Sequence, residues 1–254
     1  MRPETYRMLA ARQAVYWWHR ARRQMAAALL RREGLGMGCR VLDLGCGAGG
    51  NLAMLQAFHP ALTIGVDLSD LAIALARAAD PTTNLVRADI SRPLPFADGT
   101  IDVVTILNVL CHDWVVSEVA VLREVARVLR PGGLILITEP AFGVLAREMD
   151  EAAMAHRRYH RRDVAAMCRQ AGVAVKYTSY FTSFGFPLLL GMKMLRRFTR
   201  APTKSNADLA PDMKPLHPVI NEIMRFAAAI EGRLIASGIP MPFGTTLICV
   251  ARKL

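Results

Sequence analysis

Three carboxylates and a set of glycines are spaced to hold one nucleoside-like ligand. Val41-Leu-Asp-Leu-Gly-Cys-Gly-Ala-Gly49 reads as an apolar strand running into a glycine turn. Gly45, Gly47 and Gly49 let the backbone approach a ligand closely, with Cys46 between them, and the next helix start offers free N–H groups. Gly50 adds a second spacing with Gly45 and Gly47, so the glycines alone would also serve a dinucleotide. Asp43 argues otherwise. Its charge opposes a pyrophosphate and suits a ligand that carries a cationic group. Asp67 ends the next apolar run, followed by Leu68, where a carboxylate can accept both ribose hydroxyls. Asp89 follows a third run, with Ala88 and Ile90 placed to flank an adenine ring. A single strand-end aspartate could be a helix cap. Three of them in register with the glycine turn are hard to explain as caps.

Two further segments could move a proton. Asn108-Val-Leu-Cys-His-Asp-Trp114 follows a fourth apolar run, and His112 within it titrates near neutrality. The alternative is a loop histidine that caps the next helix. Met154-Ala-His-Arg-Arg-Tyr-His-Arg-Arg162 combines His156, Tyr159 and His160 with four arginines. His156 and Tyr159 would deprotonate or position an acceptor, and the arginines would suit a carboxylate or phosphate on it. The competing reading is the exposed start of a helix. Glu139 ends a fifth apolar run and either reaches the pocket or simply terminates the strand.

The elements that position these residues alternate. Residues 4–33 read as one helix, ended by Gly34, Gly36 and Gly38. Strands are expected at 39–44, 62–66, 84–87, 101–107 and 134–138. Helices between them are expected at 51–58, 69–79 (capped by Ser69) and 115–129, the last closed by Arg130-Pro-Gly-Gly133. A helix at 162–172 and strands at 173–181 and 245–253 follow. This pattern predicts an α/β fold: a doubly wound, mostly parallel seven-stranded sheet. It carries an N-terminal helical segment, 1–37, and a helical insertion before the last strand. The core is then 38–180 with 244–254. The insertion, 181–243, is too long for a hairpin and would serve as a lid or substrate-recognition element at the carboxyl edge of the sheet.

With those motifs assembled, the chain resembles the class I, Rossmann-like S-adenosylmethionine-dependent methyltransferases. More narrowly, it resembles the group that includes the ubiquinone and menaquinone biosynthesis methyltransferases. The resemblance rests on the 41–49 run, Gly65-Val-Asp-Leu-Ser69, Arg87-Ala-Asp89, Leu94-Pro-Phe-Ala-Asp98, Ile101-Asp-Val-Val104 and Leu122-Arg-Glu-Val-Ala-Arg-Val-Leu-Arg-Pro-Gly-Gly133. It covers about residues 38–140. It implies S-adenosylmethionine as cofactor. Asp43 and the glycine turn would hold the methionine portion, Asp67 the ribose and Asp89 the adenine. Asn108 and Val109 would line the methionine and sulfonium. Tyr16-Trp-Trp-His-Arg-Ala-Arg-Arg23 also resembles a segment of some bacterial members, in which Trp18 would cover the cofactor and Arg22 or Arg23 would face its carboxylate. Trp17 reads equally well as core packing.

Composition narrows the remaining classes. The chain has 254 residues, 53% of them apolar, which suits one large folded unit. Its five cysteines form no CxxC pair and have no histidine cluster beside them, so no metal site is expected. They read as reduced, mostly buried thiols. No secretory pattern or spanning segment is expected, which makes a cytoplasmic enzyme the default, with peripheral contact at the inner membrane surface open. The net charge of +11 gathers on the flanks. Residues 1–33 hold eight arginines against Glu4 and Glu33, and residues 193–204 hold Lys193, Arg196, Arg197, Arg200 and Lys204 with no acid. Solvated helix faces explain this, and so does attraction to an anionic substrate or membrane. The apolar stretch from 181 to 198 reads as a lid, a membrane contact or a dimer contact, so the chain is expected to be a monomer or a homodimer.

The reaction expected is methyl transfer to a hydrophobic small molecule, anionic or lipid-linked. O-methylation comes first, with C- or N-methylation close behind. A nucleic-acid methyltransferase fits less well. Asn108-Val-Leu-Cys lacks the Pro-Pro-aromatic motif of adenine enzymes, and no Pro-Cys nucleophile is present. A non-catalytic subunit that keeps the cofactor fold is the other alternative, and the intact acids at 43, 67 and 89 argue against lost cofactor binding.

Overall fold

The computed structural model describes residues 3–146, 150, 153–199 and 217–254. Seven strands form one sheet: β1 (Arg40–Leu44), β2 (Leu62–Asp67), β3 (Asn84–Arg87), β4 (Ile101–Leu107), β5 (Leu129–Pro140), β6 (Val173–Phe181) and β7 (Thr246–Lys253). Their order is β3-β2-β1-β4-β5-β7-β6. The first five strands are parallel, and β7 inserts antiparallel to both β5 and β6. The chain reverses its winding direction between β1 and β4. A crevice therefore opens at the carboxyl ends of those two strands, where open α/β sheets bind ligands.

Alternation along the strands divides the apolar side chains between two layers. Leu42, Val104, Ile106, Ile135, Ile137 and Cys249 face the layer built by α5 (Glu118–Val128) and α6 (Arg161–Gln170). Val41, Val103, Leu134, Leu136, Ile248 and Val250 face the other layer. There α2 (Trp17–Arg32) packs along α8 (Pro218–Ala236). Gly232 allows this approach: a Cβ there would stand 3.3 Å from the Met25 Cβ. The N-terminal segment and the insertion before the last strand thus share one surface. Asn221 ties them further, accepting from the Trp17 amide at 3.0 Å and donating to the Val15 carbonyl at 3.2 Å.

Three boundaries differ from the sequence expectation by more than two residues. Residues 4–33 are two helices, α1 (Pro3–Arg12) and α2, because the chain turns extended at Tyr16 (φ −70°, ψ 127°) without a glycine or proline to announce it. The helix expected at 115–129 is α5, starting at Glu118, since Ser117 accepts from the Ala120 amide and caps it. Leu129 already belongs to β5, which takes in Arg130-Pro-Gly-Gly133. Three further α-helices lie among the described residues: α3 (Leu52–Gln56), α4 (Asp70–Ala79) and, in the insertion, α7 (Gly185–Thr199). Arg200 and Lys204 of the basic stretch lie outside the described residues.

Candidate active site

The glycine turn is shaped by what stands above it. Gly45, Gly47 and Gly49 all have positive φ (69°, 55° and 80°), a region that costs other residues strain. Gly45 is the most constrained. A Cβ there would stand 2.5 Å from Val109 Cγ2, so the loops after β1 and β4 touch through it. The Gly45 and Cys46 amides both donate to the Val66 carbonyl, at 2.7 and 2.9 Å, which fixes the turn to β2. Asp67 closes the same corner. Its carboxylate accepts from the Gly47 amide at 2.9 Å, from the Ser69 amide at 2.9 Å, and from the Tyr6 hydroxyl of α1 at 3.5 Å. Burial, reinforced by the Asp67 charge, pushes the Tyr6 hydroxyl up to about 12, so it is a donor at any ordinary pH.

Asp43 lies beneath this turn, fully buried. It accepts from Thr105 Oγ1 at 2.6 Å and from Asn51 Nδ2 at 3.5 Å. Loss of solvation pushes its pKa up to about 6, partly offset by those two bonds and by the Arg22 charge. Asp43 does not line the cavity. It orients Asn51, which does.

Arg22 of α2 enters from the opposite wall. Its Nη1 donates to Asn108 Oδ1 at 2.7 Å, and its guanidinium lies over the Trp18 ring, 4.8 Å from the centroid. Nε is buried without a hydrogen-bond partner among the described residues. Burial and the neighbouring Arg23 lower the pKa of Arg22 to about 10, which leaves it a cation. Asn108 is held at φ 64° and also accepts from Thr138 Oγ1 at 3.1 Å. The loop that follows is held from below by Glu139. This carboxylate is fully buried and accepts from three successive amides: Val109 at 3.0 Å, Leu110 at 2.8 Å and Cys111 at 3.2 Å. Burial pushes its pKa up to about 7. Glu139 therefore neither lines the pocket nor merely ends a strand. It anchors the β4 loop.

These residues open onto one cavity of about 1070 Å3. That exceeds the roughly 300–1,000 Å3 of most single-ligand sites and leaves room for two reactants. Polar groups of Asn51, Asp67, Arg22 and Asn108 line it together with Gly45, Cys46 and Gly47. Leu188, Leu189 and Met192 of α7 and Met224 of α8 add apolar wall. Trp18, Val109 and His112 also line it.

His112 Nδ1 lies 3.2 Å from the Met154 carbonyl, and its ring stacks on Trp114 at 6.0 Å. A carbonyl only accepts, so Nδ1 carries the proton and Nε2 is the basic nitrogen. Burial lowers the pKa of His112, which keeps the ring neutral at pH 7.

The structure does not gather all the expected residues. Gly49, Leu68, Asp89 and Ile90 are not among the cavity-lining residues. Ile90 is buried in the core, Leu68 is exposed, and Asp89 accepts from the Ser91 amide at 2.9 Å and pairs with Arg92. Tyr159 is also away from the cavity wall. Its ring is in the core, and its hydroxyl donates to the Leu110 carbonyl or Glu118 at 2.9 and 3.0 Å, which makes it a brace for the β4 loop. His156 is half-exposed and pairs with Asp113 at 2.6 Å on the far side of that loop. In their place the cavity takes in Tyr6, Gln13 and Arg158. The Arg158 side chain is almost wholly buried and paired with Asp150 at 2.6 Å. Arg158 belongs to the arginine cluster already visible in the sequence, whereas nothing in the sequence marks Tyr6 or Gln13.

The chain is similar to known proteins over part of its length. Residues 42–137 match the family model described as a methyltransferase domain. A phthiotriol/phenolphthiotriol dimycocerosates methyltransferase of Mycobacterium ulcerans is 37% identical over 134 residues, which is 51% of this chain and 48% of that protein. A fatty-acid O-methyltransferase of Mycolicibacterium smegmatis is 41% identical over 105 residues, 40% of this chain and 37% of that one. The chain thus spans about half the length, or less, of the curated relatives it matches. Among solved structures, a chain of the complex between the Haloferax volcanii Trm112 methyltransferase activator and the putative methyltransferase superposes with a TM-score of 0.63. That match covers 97% of this chain and 96% of the other at 20% identity, a likeness of fold.

Proposed function

We propose that this chain, whose residues 42–137 match a methyltransferase-domain model, is a class I S-adenosylmethionine-dependent enzyme that methylates an oxygen of a long, apolar, lipid-like acceptor. The observation that carries this reading is the mixed lining of one large cavity: polar groups at the glycine turn together with the apolar side chains of α7 and α8. The polar groups form a cradle that fits the methyl donor. Asp67 presents a carboxylate to ribose hydroxyls, and Arg22 presents a buried cation with an unpartnered Nε to a carboxylate. Gly45 and Gly47 admit the ligand against the backbone, and Asn108 and Val109 bound it from above. When bound, S-adenosylmethionine supplies an electrophilic methyl carbon on a sulfonium sulfur.

The residues of the chain then act in three ways. The glycine turn and Asn108 fix the position of that carbon, and the α7 wall aligns the acceptor with it. α1 and α2 line the cavity and exclude water. His112 Nε2 takes the proton from a hydroxyl acceptor as the oxygen–carbon bond forms and the carbon–sulfur bond breaks. A carboxylic acid acceptor is already ionised at pH 7 and needs no base, only alignment. The two lipid-named relatives support an apolar acceptor of this kind.

The test is label transfer from methyl-tritiated S-adenosylmethionine to fatty acids and primary alcohols of graded chain length. The expected result is a kcat/KM that rises with chain length. Leu188→Arg is expected to lower it about tenfold for long acceptors and little for short ones. Absence of transfer to every apolar acceptor would overturn the proposal.

A further inference from the structure

Helix α8 is apolar on two opposite faces, and among the described residues only one of them is packed against a partner. Ala228, Gly232 and Ile235 are buried against α2 and the sheet. On the far side Val219, Ile223, Phe226, Ile230 and Leu234 follow one another at helical spacing, each between 40% and 63% exposed. Such a stripe on the outside of a helix is normally polar. A contiguous row of large exposed side chains marks an interaction surface.

The surroundings identify the partner by charge. Arg233 is exposed beside the stripe, whereas Arg225 is paired with Glu222 at 2.6 Å. On α7 the exposed Leu188, Met192 and Leu195 lie close in sequence to Lys193. The whole chain carries +11, so two copies meeting through this face would repel. An anionic bilayer has the complementary charge and an interior for the apolar stripe. The helix is suited to lie in the interface, not to cross it. No described helix is long and apolar enough to span a membrane.

We propose that the outward face of α8, with the exposed edge of α7, docks this protein on an anionic lipid surface. Met224 of α8 and Leu188 and Met192 of α7 also line the cavity, so the docked face adjoins its apolar wall. Direct delivery of an acceptor from the bilayer rests on the lipid-like acceptor proposed above. The docking itself does not.

The experiment is flotation of the full chain with phosphatidylcholine vesicles, with and without phosphatidylglycerol, at low and high salt. The expected result is flotation with the phosphatidylglycerol vesicles, weakened by salt. The double variant Ile223→Asp/Phe226→Asp is expected to lower the bound fraction about tenfold, with S-adenosylmethionine affinity unchanged. A second variant, Ile230→Ser/Leu234→Ser, probes the same stripe with a milder change and is expected to lower binding in the same direction. Failure of the wild type to float with anionic vesicles overturns the proposal, and so does flotation of both variants like the wild type. Light scattering provides the remaining outcome. A wild-type dimer that Ile223→Asp/Phe226→Asp converts to a monomer assigns the face to a second copy and also overturns it. Docking without methyl transfer to any lipid acceptor would sink only the acceptor reading.

Discussion

Two buried side chains on the β4–β5 side divide the work of the site. Glu139 accepts from three consecutive amides and so fixes the loop that bears Asn108 and His112. Its pKa, about 7, lies above the ordinary value of 4.5 because of burial. The folded protein therefore holds this proton more tightly than the unfolded chain. The associated stability is complete below pH about 4.5 and is lost as pH rises through about 7. Glu139→Gln should flatten that decline relative to wild type in urea melts taken across this window. Glu139→Ala leaves three buried amides without an acceptor and should cost on the order of 3 kcal/mol. His112 has the opposite sense. Its pKa is lowered, so the neutral base persists below the usual histidine range and is lost only on further acidification. For an alcohol acceptor, kcat should be flat at neutral pH and fall on the acid side. His112→Gln should lower kcat about a hundredfold with alcohols and much less with fatty acids. Equal losses with both would remove His112 as a base. At this scale the sequence was legible where chemistry and spacing coincide. Asp67, Arg22, Asn108 and His112 were all marked, and all face the cavity. The arginine-flanked His156 and Tyr159 misled, because a polar cluster in sequence does not say which side of its loop faces the ligand. Tyr159 is used to brace Leu110, and His156 pairs with Asp113 in the open.

At the scale of elements, the sheet was readable because each strand is a short apolar run followed by a turn residue. The parallel core followed from the alternation of strands and helices. The break between α1 and α2 was not readable, since residues 13–16 contain neither glycine nor proline and are bent by tertiary contacts. Gln13 Nε2 donates to the Ala48 carbonyl, and Arg23 donates to the Gln13 carbonyl at 2.6 Å. The pairing of α2 with α8 was equally hidden, because it joins segments some 200 residues apart through Gly232 and Asn221. The turn into β7 depends on a close approach of the same kind. A Cβ at Gly244 would stand 2.5 Å from the Phe181 carbonyl oxygen. Gly244→Ala should therefore separate β6 from the start of β7 and lower stability by about 2 kcal/mol, read as a lower Tm.

The whole molecule is a sheet whose carboxyl edge is roofed from both ends of the chain. The N-terminal helices line the cavity from one end of the chain, and α7 and α8, the two described helices between β6 and β7, line it with apolar side chains. That division of labour is why the sequence told more about the methyl donor than about the acceptor. The proposed donor cradle takes its turn and Asp67 from local motifs around 41–49 and 65–69, whereas Arg22 and the proposed acceptor wall come from distant segments that meet only in the fold.

The central claim is that the cradle between Asp67, the glycine turn and Arg22 holds S-adenosylmethionine. Calorimetric titration of the ligand into wild type and Asp67→Ala tests it directly. Loss of the ribose-facing carboxylate should weaken binding by about ten- to a hundredfold, the size expected for hydrogen bonds to a charged group. Wild-type binding that Asp67→Ala leaves unchanged, or no binding by the wild type, would contradict the account.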